Sequence, residues 1–424
     1  MKRFSSRADI LQWIDRRVGP PVCFLLTMAR RICDLFGRRS LAAPWRSVVF
    51  LKLTEQGSTV LAHEAVRRAV ARAGRENVYF LVFEENRFIV DLLGLVPPGN
   101  VLTLETRSAW SMAASCWRRL RAIRRQRLDA CVDMEAFARF PAAIAYLTGA
   151  RRRVGFHAYY GEGPYRGDLL THRLLYNPHL HTSQTFTSLV LALDVDPKQL
   201  PTLPIVLPPP PALPSFCATP QERTEAQQLI ARAGVPADQR LILLNANAGD
   251  LLPLRRWPGE NYVALARRLL EEFADVAVAF TGTSDEMQRC VELVQTVASP
   301  RCFSLAGRTT LRQLVVLFGL AEVLVTNDSG PAHFAALTEI DVVSLFGPET
   351  PRLYAAPGSR NHALWTGLAC SPCINAFNNR QTACRDNLCM QMITVDQVFD
   401  IVGLIFRRRT AARAAPPASG PPVP

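Results

Sequence analysis

One polar segment of this sequence is suited to holding a phosphate group. Residues 326–333 read TNDSGPAH and lie between the apolar run 323–325 and a short stretch, 334–337, that predicts a helix. A polar N-cap and a glycine let the backbone approach an anion at a helix N-terminus, where unpaired N–H groups favour diphosphate. Asp328 and Ser329 are equally typical of ordinary helix caps, so the segment alone does not decide between the two roles.

A second group of candidates consists of carboxylates that follow apolar runs in the first half of the chain. Glu55 follows the run 47–53, while Asp133 and Glu135 lie at the end of the run 128–134. If both runs are parallel strands, their carboxyl ends open on the same side of the sheet, where a carboxylate can accept a proton from a substrate hydroxyl. For Glu55 the alternative is an ordinary ion pair with Lys52 or an arginine.

Four of the eleven cysteines form a C-x2-C-x10-C-x4-C pattern, namely Cys370, Cys373, Cys384 and Cys389. The first pair has a spacing found in zinc sites, whereas C-x4-C is less typical, so zinc, disulfides and unpaired thiols all stay open. The other seven are scattered, mostly within apolar runs, as expected of small hydrophobic side chains in a reducing cytoplasm.

The length and composition describe an ordinary globular protein. With 424 residues, 49% hydrophobic and 20% charged, the chain has room for two or three domains and does not fit a disordered, collagenous or polytopic membrane protein. The net charge is +13, of which residues 1–46 carry +7 and the tail from Arg407 carries +4. A nucleic-acid binder is expected to carry its basic residues on the folded body, so charge at the two ends favours an anionic membrane surface as partner and no nucleic acid.

Residues 1–46 combine that charge with an apolar stretch over 22–36. Arg30, Arg31 and Asp34 interrupt the stretch, which is too short and too charged for the ~20 residues that span a bilayer. No clean cleavage site of a signal peptide follows. We expect an amphipathic hairpin lying at the membrane surface, with a helix packed on the protein's own surface as the alternative.

The rest of the sequence alternates apolar runs with helix-compatible stretches on both sides of a proline-rich joint. Predicted strands lie at 47–53, 78–83, 101–104, 128–134, 241–244, 276–280, 302–305, 323–325 and 342–346. The alternation predicts an α/β fold of two doubly wound, Rossmann-like domains facing a central cleft. The expected order is a membrane-associating segment (1–46), a first Rossmann-like domain (47–200), a linker (201–220), a second Rossmann-like domain closed by a helix over 395–408 (221–409) and a disordered tail (410–424).

Five segments resemble glycosyltransferase family 9, which includes the lipopolysaccharide heptosyltransferases. Neither G-x-G-x-x-G after a first strand nor a Walker sequence is present, which argues against nicotinamide dehydrogenases and P-loop ATPases. The resembling segments are LTGARRRVGF at 147–156, RRWP at 255–258, TGTSDE at 281–286, LAGRTTL at 305–311, and the stretch 327–348 that contains DSGPAH and ends in LFGP. The resemblance extends over roughly 47–400.

This resemblance implies a GT-B fold and an inverting, metal-independent sugar transfer that requires no cofactor. It also implies that the C-terminal domain (221–409) holds a nucleoside-diphosphate sugar and that the N-terminal domain (47–200) is on the acceptor side. Carried over by motif, the donor-binding residues are Ser329, Gly330 and His333 at the diphosphate, Asp328 capping and orienting that turn, Arg255 neutralising the departing nucleotide and Glu286 holding a ribose hydroxyl.

The sequence departs from the family pattern at the general base. The family has Gly-Asp in the loop after its first strand, and this chain has Gly57 and Ser58, whose hydroxyl has no useful basicity. Glu55 becomes the candidate base, with Asp133 and Glu135 in reserve.

The leading expectation is a cytoplasmic enzyme peripheral to the inner membrane, moving a sugar such as heptose to a lipid-linked or lipopolysaccharide acceptor. The alternatives are an inactive binding protein for sugar nucleotides or glycolipids, which the loss of the family Asp favours, and a GT-B sugar-nucleotide epimerase. The basic, apolar N-terminus argues against the epimerase, which needs no lipid acceptor.

Overall fold

A computed structural model describes residues 13–37, 41, 43–236, 238–249, 252–378 and 380–414. The chain divides into two compact units. Unit 1 comprises Met1–Pro214, Glu349–Pro357 and Cys370–Cys384, and unit 2 comprises Ser215–Pro348, Gly358–Ala369 and Arg385–Pro424. The sequence predicted one continuous stretch for each domain, which is wrong because two later segments return to unit 1. The proline-rich stretch up to Pro214 also belongs to unit 1.

The described part of unit 1 contains a six-stranded parallel sheet in the order β3-β2-β1-β4-β5-β6. Its strands are β1 (Val48–Leu51), β2 (Val78–Phe83), β3 (Val101–Leu104), β4 (Ala130–Asp133), β5 (Arg152–Phe156) and β6 (His172–Leu174). Strand β1 is central and buried throughout, and Val48 pairs with Val78 on one side and Ala130 on the other. The first four strands confirm the predicted runs. Strands β5 and β6 are not predicted from the sequence, because arginines and a histidine interrupt their apolar pattern.

Helices cover this sheet and form its connections. In chain order they are α1 (Gly19–Leu35), α2 (Gln56–Leu61), α3 (His63–Ala73), α4 (Arg87–Leu93), α5 (Ala109–Gln126), α6 (Arg139–Leu147) and α7 (Thr182–Leu191). The core between sheet and helices includes Val49, Leu51, Leu81 and Ile144, each at most 1% exposed. Parallel strands buried on both faces explain why their sequences are near-continuous apolar runs.

Within the described residues, helix α1 packs against α6 and does not form the predicted amphipathic hairpin. Residues 13–17 are also helical, and prolines in the first turn of α1 are compatible with its start. Cys23 and Thr27 are buried in the contact, and Gly167 is so close that an added Cβ would lie 2.8 Å from the Cys23 carbonyl oxygen. Arg30 pairs with Asp168. Residues 1–12, part of the predicted segment, lie outside the described residues.

The described part of unit 2 repeats the same topology, with strand order β12-β11-β10-β7-β8-β9. Its strands are β7 (Arg240–Asn245), β8 (Val276–Phe280), β9 (Cys302–Ser304), β10 (Val323–Asn327), β11 (Asp341–Phe346) and β12 (Asn361–Trp365). In each sheet the first and fourth strands are neighbours, so the strand order reverses between β1 and β4 and between β7 and β10. Open sheets of this kind bind ligands at the carboxyl ends of the strands beside that reversal.

The remaining helices are α8 (Pro220–Arg232), α9 (Gly259–Glu272), α10 (Met287–Val297), α11 (Leu311–Phe318), α12 (Gly330–Ala335), α13 (Pro351–Tyr354), α14 (Leu388–Gln391) and α15 (Val395–Ala414). Helix α12 begins four residues before the predicted helix at 334–337. Helix α15 continues through Ala414, so the predicted disorder of 410–424 is wrong for 410–414, while 415–424 lie outside the described residues. Arginines on α15 explain the extension, because Arg408 and Arg409 bind Asp341 and Arg413 binds Glu322.

Candidate active site

The loop after β1 holds Glu55 in a left-handed backbone conformation. Its φ is 64°, which is uncommon for a residue with a side chain, and it precedes the first turn of α2. The preceding Lys52 is 1% exposed, and burial lowers its pKa although the charge of Glu135 opposes that shift. The Lys52 ammonium donates to the Thr54 carbonyl oxygen, which ties the end of β1 to the loop.

The Glu55 carboxylate lies beside Ser58, the residue that replaces the family Asp. The Ser58 hydroxyl donates to Glu55 Oε2 at 3.1 Å, and Lys52 Nζ is 3.8 Å from the same oxygen. Arg380, which returns to unit 1 from the C-terminal half, pairs with Oε1. The Glu55 side chain remains 33% exposed. The structure therefore places the Glu55 carboxylate next to Ser58, the position of the missing Asp. The same carboxylate also forms ion pairs with Lys52 and Arg380, as expected if Glu55 has only a structural role.

Glu135 reaches the same loop from the neighbouring strand β4. Its Oε1 accepts from Lys52 Nζ at 3.2 Å and from the Thr54 backbone N–H at 2.8 Å. The Thr54 hydroxyl donates to both carboxylate oxygens at 3.1 Å. These contacts hold the two strand ends together, so they favour a positioning role for Glu135.

Asp133, the other reserve candidate, is fully buried. It pairs with Arg166 and accepts from the Glu135 backbone N–H at 3.0 Å. Burial raises the pKa of Asp133 to about 6, although the charge of Arg166 opposes the shift. Because it is 0% exposed and does not line the cavity beside Glu55, the structure does not support a role for Asp133 as the residue that contacts a substrate hydroxyl.

A cavity of about 330 Å³ opens beside Glu55 and is lined by residues of unit 1. Its charged lining residues are Asp15, Lys52, Glu55, Glu135, Arg139 and Arg380. Ser58 also lines it, and most other lining residues are apolar. Sequence reasoning missed Arg139 and Arg380, because neither belongs to a recognisable motif and Arg380 comes from a distant part of the chain.

In unit 2, a network of neutral side-chain and backbone groups joins the ends of β7 and β10. The buried Asn327 accepts from the Trp257 backbone N–H at 2.9 Å and from the Tyr262 hydroxyl at 3.2 Å, and it donates to the Asn247 carbonyl oxygen at 3.1 Å. Trp257 is fully buried, in agreement with a packing role. The network fixes the RRWP loop against the segment that follows β10.

Arg255 lies against the same segment. Its Nη1 donates to the Asp328 carbonyl oxygen at 3.1 Å, and its Nε is 3.8 Å from Asp328 Oδ2. The predicted capping role of Asp328 is wrong, because Ser329 occupies the N-cap position of α12 and the Asp328 carboxylate is near Arg255. The Ser329 hydroxyl itself donates to the Asn327 carbonyl oxygen. Gly330 is the first residue of α12, and His333 in the same short helix is 6% exposed.

Glu286 lies in the turn after β8, the strand that pairs with β7 in the same sheet. Its Oε2 accepts from the Thr283 backbone N–H at 2.9 Å, the contact of an ordinary helix-start carboxylate. A Cβ added to Gly282 would lie 2.8 Å from Asn247 Nδ2, so this turn packs tightly against the loop after β7. The ribose-binding role of Glu286 stays a prediction.

The four cysteines of the quartet all lie within the described residues and are thiols in the structure. Among the residues that the structure describes, no group of three or more His, Cys, Asp or Glu side chains could hold a metal ion. Cys370 is exposed, whereas Cys389 is 8% exposed and belongs to unit 2. The structure therefore gives no support to zinc bound by all four thiols.

The two Rossmann-like domains, each with polar residues where the strand order reverses, define a GT-B fold. A solved structure of E. coli ADP-heptose lipopolysaccharide heptosyltransferase II matches this fold with a TM-score of 0.65 and 17% identity, over 86% of this chain and 99% of that one. A family 9 glycosyltransferase from Veillonella parvula matches with a TM-score of 0.65 and 16% identity, over 87% of this chain and 100% of that one.

The model of glycosyltransferase family 9 (heptosyltransferase) matches residues 116–383, and the chain belongs to this family. Lipopolysaccharide heptosyltransferase 2 of Salmonella typhimurium is 35% identical over 102 residues, which cover 23% of this chain and 29% of that protein. Lipooligosaccharide heptosyltransferase 2 of Haemophilus influenzae is 29% identical over 179 residues, covering 41% of this chain and 48% of that protein. The matched stretch thus spans less than half the length of either relative.

Proposed function

We propose that this protein is an inverting glycosyltransferase that moves a sugar, with heptose as the first candidate, from a nucleoside-diphosphate donor to a lipid-linked or lipopolysaccharide acceptor. The observation that carries the proposal is the position of the Glu55 carboxylate, 3.1 Å from the Ser58 hydroxyl and facing a cavity where the strand order of unit 1 reverses. Family membership supports the class of reaction.

Unit 1 is assigned the acceptor and its proton. As the acceptor oxygen attacks the anomeric carbon, its proton passes to Glu55, and the bond from that carbon to the diphosphate oxygen breaks on the opposite face. The configuration at the carbon is therefore inverted. The hydrogen bond from Ser58 and the nearby cations Lys52 and Arg380 hold the carboxylate in place.

Unit 2 is assigned the nucleotide sugar. The developing negative charge on the departing diphosphate needs fixed donors and a cation. Arg255 supplies the cation, and Ser329, Gly330 and His333 are the residues assigned to the diphosphate, with Glu286 at the ribose. The Asn327 network holds this arrangement, and in this proposal the chain itself supplies the charge compensation without a cofactor.

A panel of nucleotide sugars that includes ADP-heptose tests the assignment. A true donor at a hundredfold excess over its dissociation constant should stabilise the protein by ~2.7 kcal/mol and raise its melting temperature. Incubation of that donor with extracted lipids should then yield a product heavier by one sugar in mass spectrometry. A donor that binds without any transfer would contradict the proposal.

A catalytically inactive protein that binds a sugar nucleotide or glycolipid is the second candidate. Its supporting observation is the same cluster, because Ser58 replaces the family Asp and Glu55 is engaged by Lys52 and Arg380. If the protein is inactive, the wild type and Glu55→Gln should bind the donor equally tightly, and neither should transfer the sugar. Turnover by the wild type that is lost in the variant excludes it.

We further propose that α1 attaches the protein to the cytoplasmic face of the inner membrane. The exposed side chains of α1 and the residues next to it include Val18, Val22, Phe24, Leu25, Ile32, Leu35 and Phe36. Several recur at helical spacing on the face opposite Cys23 and Thr27, and exposed Arg16, Arg17 and Arg31 lie near them. No helix within the described residues is long and apolar enough to cross a bilayer. Such a combination is typical of a helix lying at an interface.

Vesicle flotation tests this attachment. The double variant Leu25→Glu and Ile32→Glu should lose binding to anionic vesicles, because it places charge in the apolar stripe. A matched pair of Glu substitutions at exposed Val206 and Leu404, away from α1, should float as the wild type does. Equal flotation of the α1 variant and the wild type would contradict the role of α1.

A further inference from the structure

The cavity beside Glu55 has two chemically different parts. Glu55, Lys52 and Arg380 form a charged cluster at the end of β1. The other part is apolar and is built by three helices, with Val18 and Val22 from the start of α1 and its preceding turn, Met112 from α5, and Phe140 and Ala143 from α6. A cavity with an apolar wall and a few charged groups fits an amphiphile with one chain and a polar head.

The apolar part reaches the protein surface beside the membrane-facing stripe of α1. Val18 and Val22 line the cavity and are also 46% and 38% exposed. They belong to the same exposed stripe as Leu25 and Ile32. A chain leaving the cavity at this point would therefore meet the surface that is proposed to contact lipid.

Helix α5 provides a second interfacial surface next to the cavity. Trp110 is 86% exposed and lies two residues from Met112. Trp117, about two helical turns later, is 61% exposed. The Arg121 guanidinium lies over the Trp117 ring at 5.3 Å. Exposed tryptophan together with arginine is the side-chain pair found at the headgroup level of bilayers. Two of the three helices that line the apolar part, α1 and α5, thus carry features of a lipid interface.

We propose that this cavity binds an aliphatic chain of the acceptor, with the hydroxyl to be glycosylated at Glu55. The inference rests on the proposed function and narrows the substrate class. Glu55 and Val22 line one cavity of about 330 Å³, near the lower end of the ~300–1,000 Å³ typical of small-ligand sites. It has room for a chain and a short polar head, so the acceptor carries its attacked sugar close to the lipid and not at the end of a long glycan.

Calorimetry with hexyl, octyl and decyl β-D-glucosides, each below its micellar concentration, tests the site without requiring transfer. Affinity should rise about fourfold for each added CH₂ group that becomes buried. Met112→Trp should remove this dependence, whereas Ala113→Trp, at the neighbouring exposed position of α5, should keep it. Affinity that does not change with chain length would overturn the proposal.

A second pair of variants keeps the test independent of the folding of Met112→Trp. Val18→Trp should also remove the chain-length dependence, and Arg17→Trp should not. If both cavity variants fold, with melting temperatures near that of the wild type, and still bind decyl glucoside with wild-type affinity, the cavity is not the chain site.

Failure of the chain site can be distinguished from failure of the proposed glycosyltransferase function. Binding that depends on chain length without transfer of sugar to any lipid would reject the glycosyltransferase and leave the chain site in place. Transfer with the same KM for an acceptor and for its chain-free analogue would reject the chain site and leave the enzyme in place.

Discussion

The carboxyl edges of the two sheets have the same strand order and different chemistry. In unit 1 the ends of β1 and β4 carry titratable side chains, with Glu55, Glu135 and the buried Lys52 in one cluster. In unit 2 the ends of β7 and β10 are joined by amides and a phenol around Asn327, and Arg255 is the cation beside them. The repeated topology provides a candidate site in each unit, and the side chains decide what each candidate site could do.

This difference matches the two tasks of a glycosyl transfer. A proton acceptor must change its charge during the reaction, which only a titratable group can do. A diphosphate site works better with groups that keep their charge and position, since fixed donors stabilise developing charge without rearranging. The following experiments test whether the two edges divide the work in this way.

The largest effect is expected for Glu55→Gln, which removes the proposed base and keeps its shape. Turnover should fall at least about a hundredfold, the low end of general-base contributions, while donor affinity stays unchanged. Steady-state kinetics with the acceptor and calorimetry with the donor measure the two quantities.

Two further variants sharpen this prediction. Glu84→Gln, at an exposed carboxylate after the neighbouring strand β2, should retain full turnover. Ser58→Asp added to Glu55→Gln should recover part of the lost turnover. It puts a carboxylate at position 58, whose hydroxyl in the wild type lies 3.1 Å from Glu55 Oε2. Wild-type turnover of Glu55→Gln would remove Glu55 from the mechanism.

The next effect concerns the other edge. Arg255→Ala should weaken nucleoside-diphosphate binding by about tenfold to a hundredfold, the range of a hydrogen bond to a charged group. Titration calorimetry measures the loss. Arg312→Ala, at an exposed arginine paired with Glu222 elsewhere in unit 2, should bind as the wild type does. Unchanged affinity in Arg255→Ala would show that Arg255 does not contact the diphosphate.

Two buried aspartates extend the comparison to stability. Burial raises the pKa of Asp133 in unit 1 to about 6, while Arg166 opposes the shift. For Asp341 in unit 2, burial also acts upward, but hydrogen bonds from His362, Arg408 and Arg409 outweigh it and lower the pKa to about 2. Folding therefore disfavours the charged form of Asp133 and favours the charged form of Asp341.

For Asp341, a folded-state pKa below the ordinary value of about 4 means that its charge stabilises the folded state above that pH. Asp341→Asn should cost about 2 kcal/mol of unfolding free energy at pH 7. The difference from the wild type should shrink as the pH falls from about 4 to about 2. Urea unfolding at pH 7 and pH 3 measures it, and a difference that does not depend on pH would contradict the assignment.

The smallest effect is expected for Ser58→Ala. Its hydroxyl orients the proposed base through one hydrogen bond, so its loss should lower turnover by about twofold to tenfold. Donor affinity should not change. A loss as large as that of Glu55→Gln would show that Ser58 takes part in the reaction more directly than by orienting Glu55.

Local sequence determined much of the fold and part of the site. The apolar runs at 78–83 and 276–280 coincide with strands, because strands buried on both faces must be apolar along their whole length. The motifs after β7 and β10 correctly indicated that Arg255 and Asp328 lie at one sheet edge. Both inferences depend on residues near each other in the sequence, where periodicity and turn chemistry carry the information.

Only the tertiary structure decided which side chains meet. Arg380 pairs with Glu55 across more than 300 positions, and no local pattern records that contact. Asp133 is fully buried and pairs with Arg166, which reaches it from the loop between β5 and β6. Helix α1 could be recognised as amphipathic from its sequence, yet its buried face was set by the close approach of Gly167. Contacts of this kind depend on how distant elements pack, so the cavity and its charged cluster exist only in the folded chain.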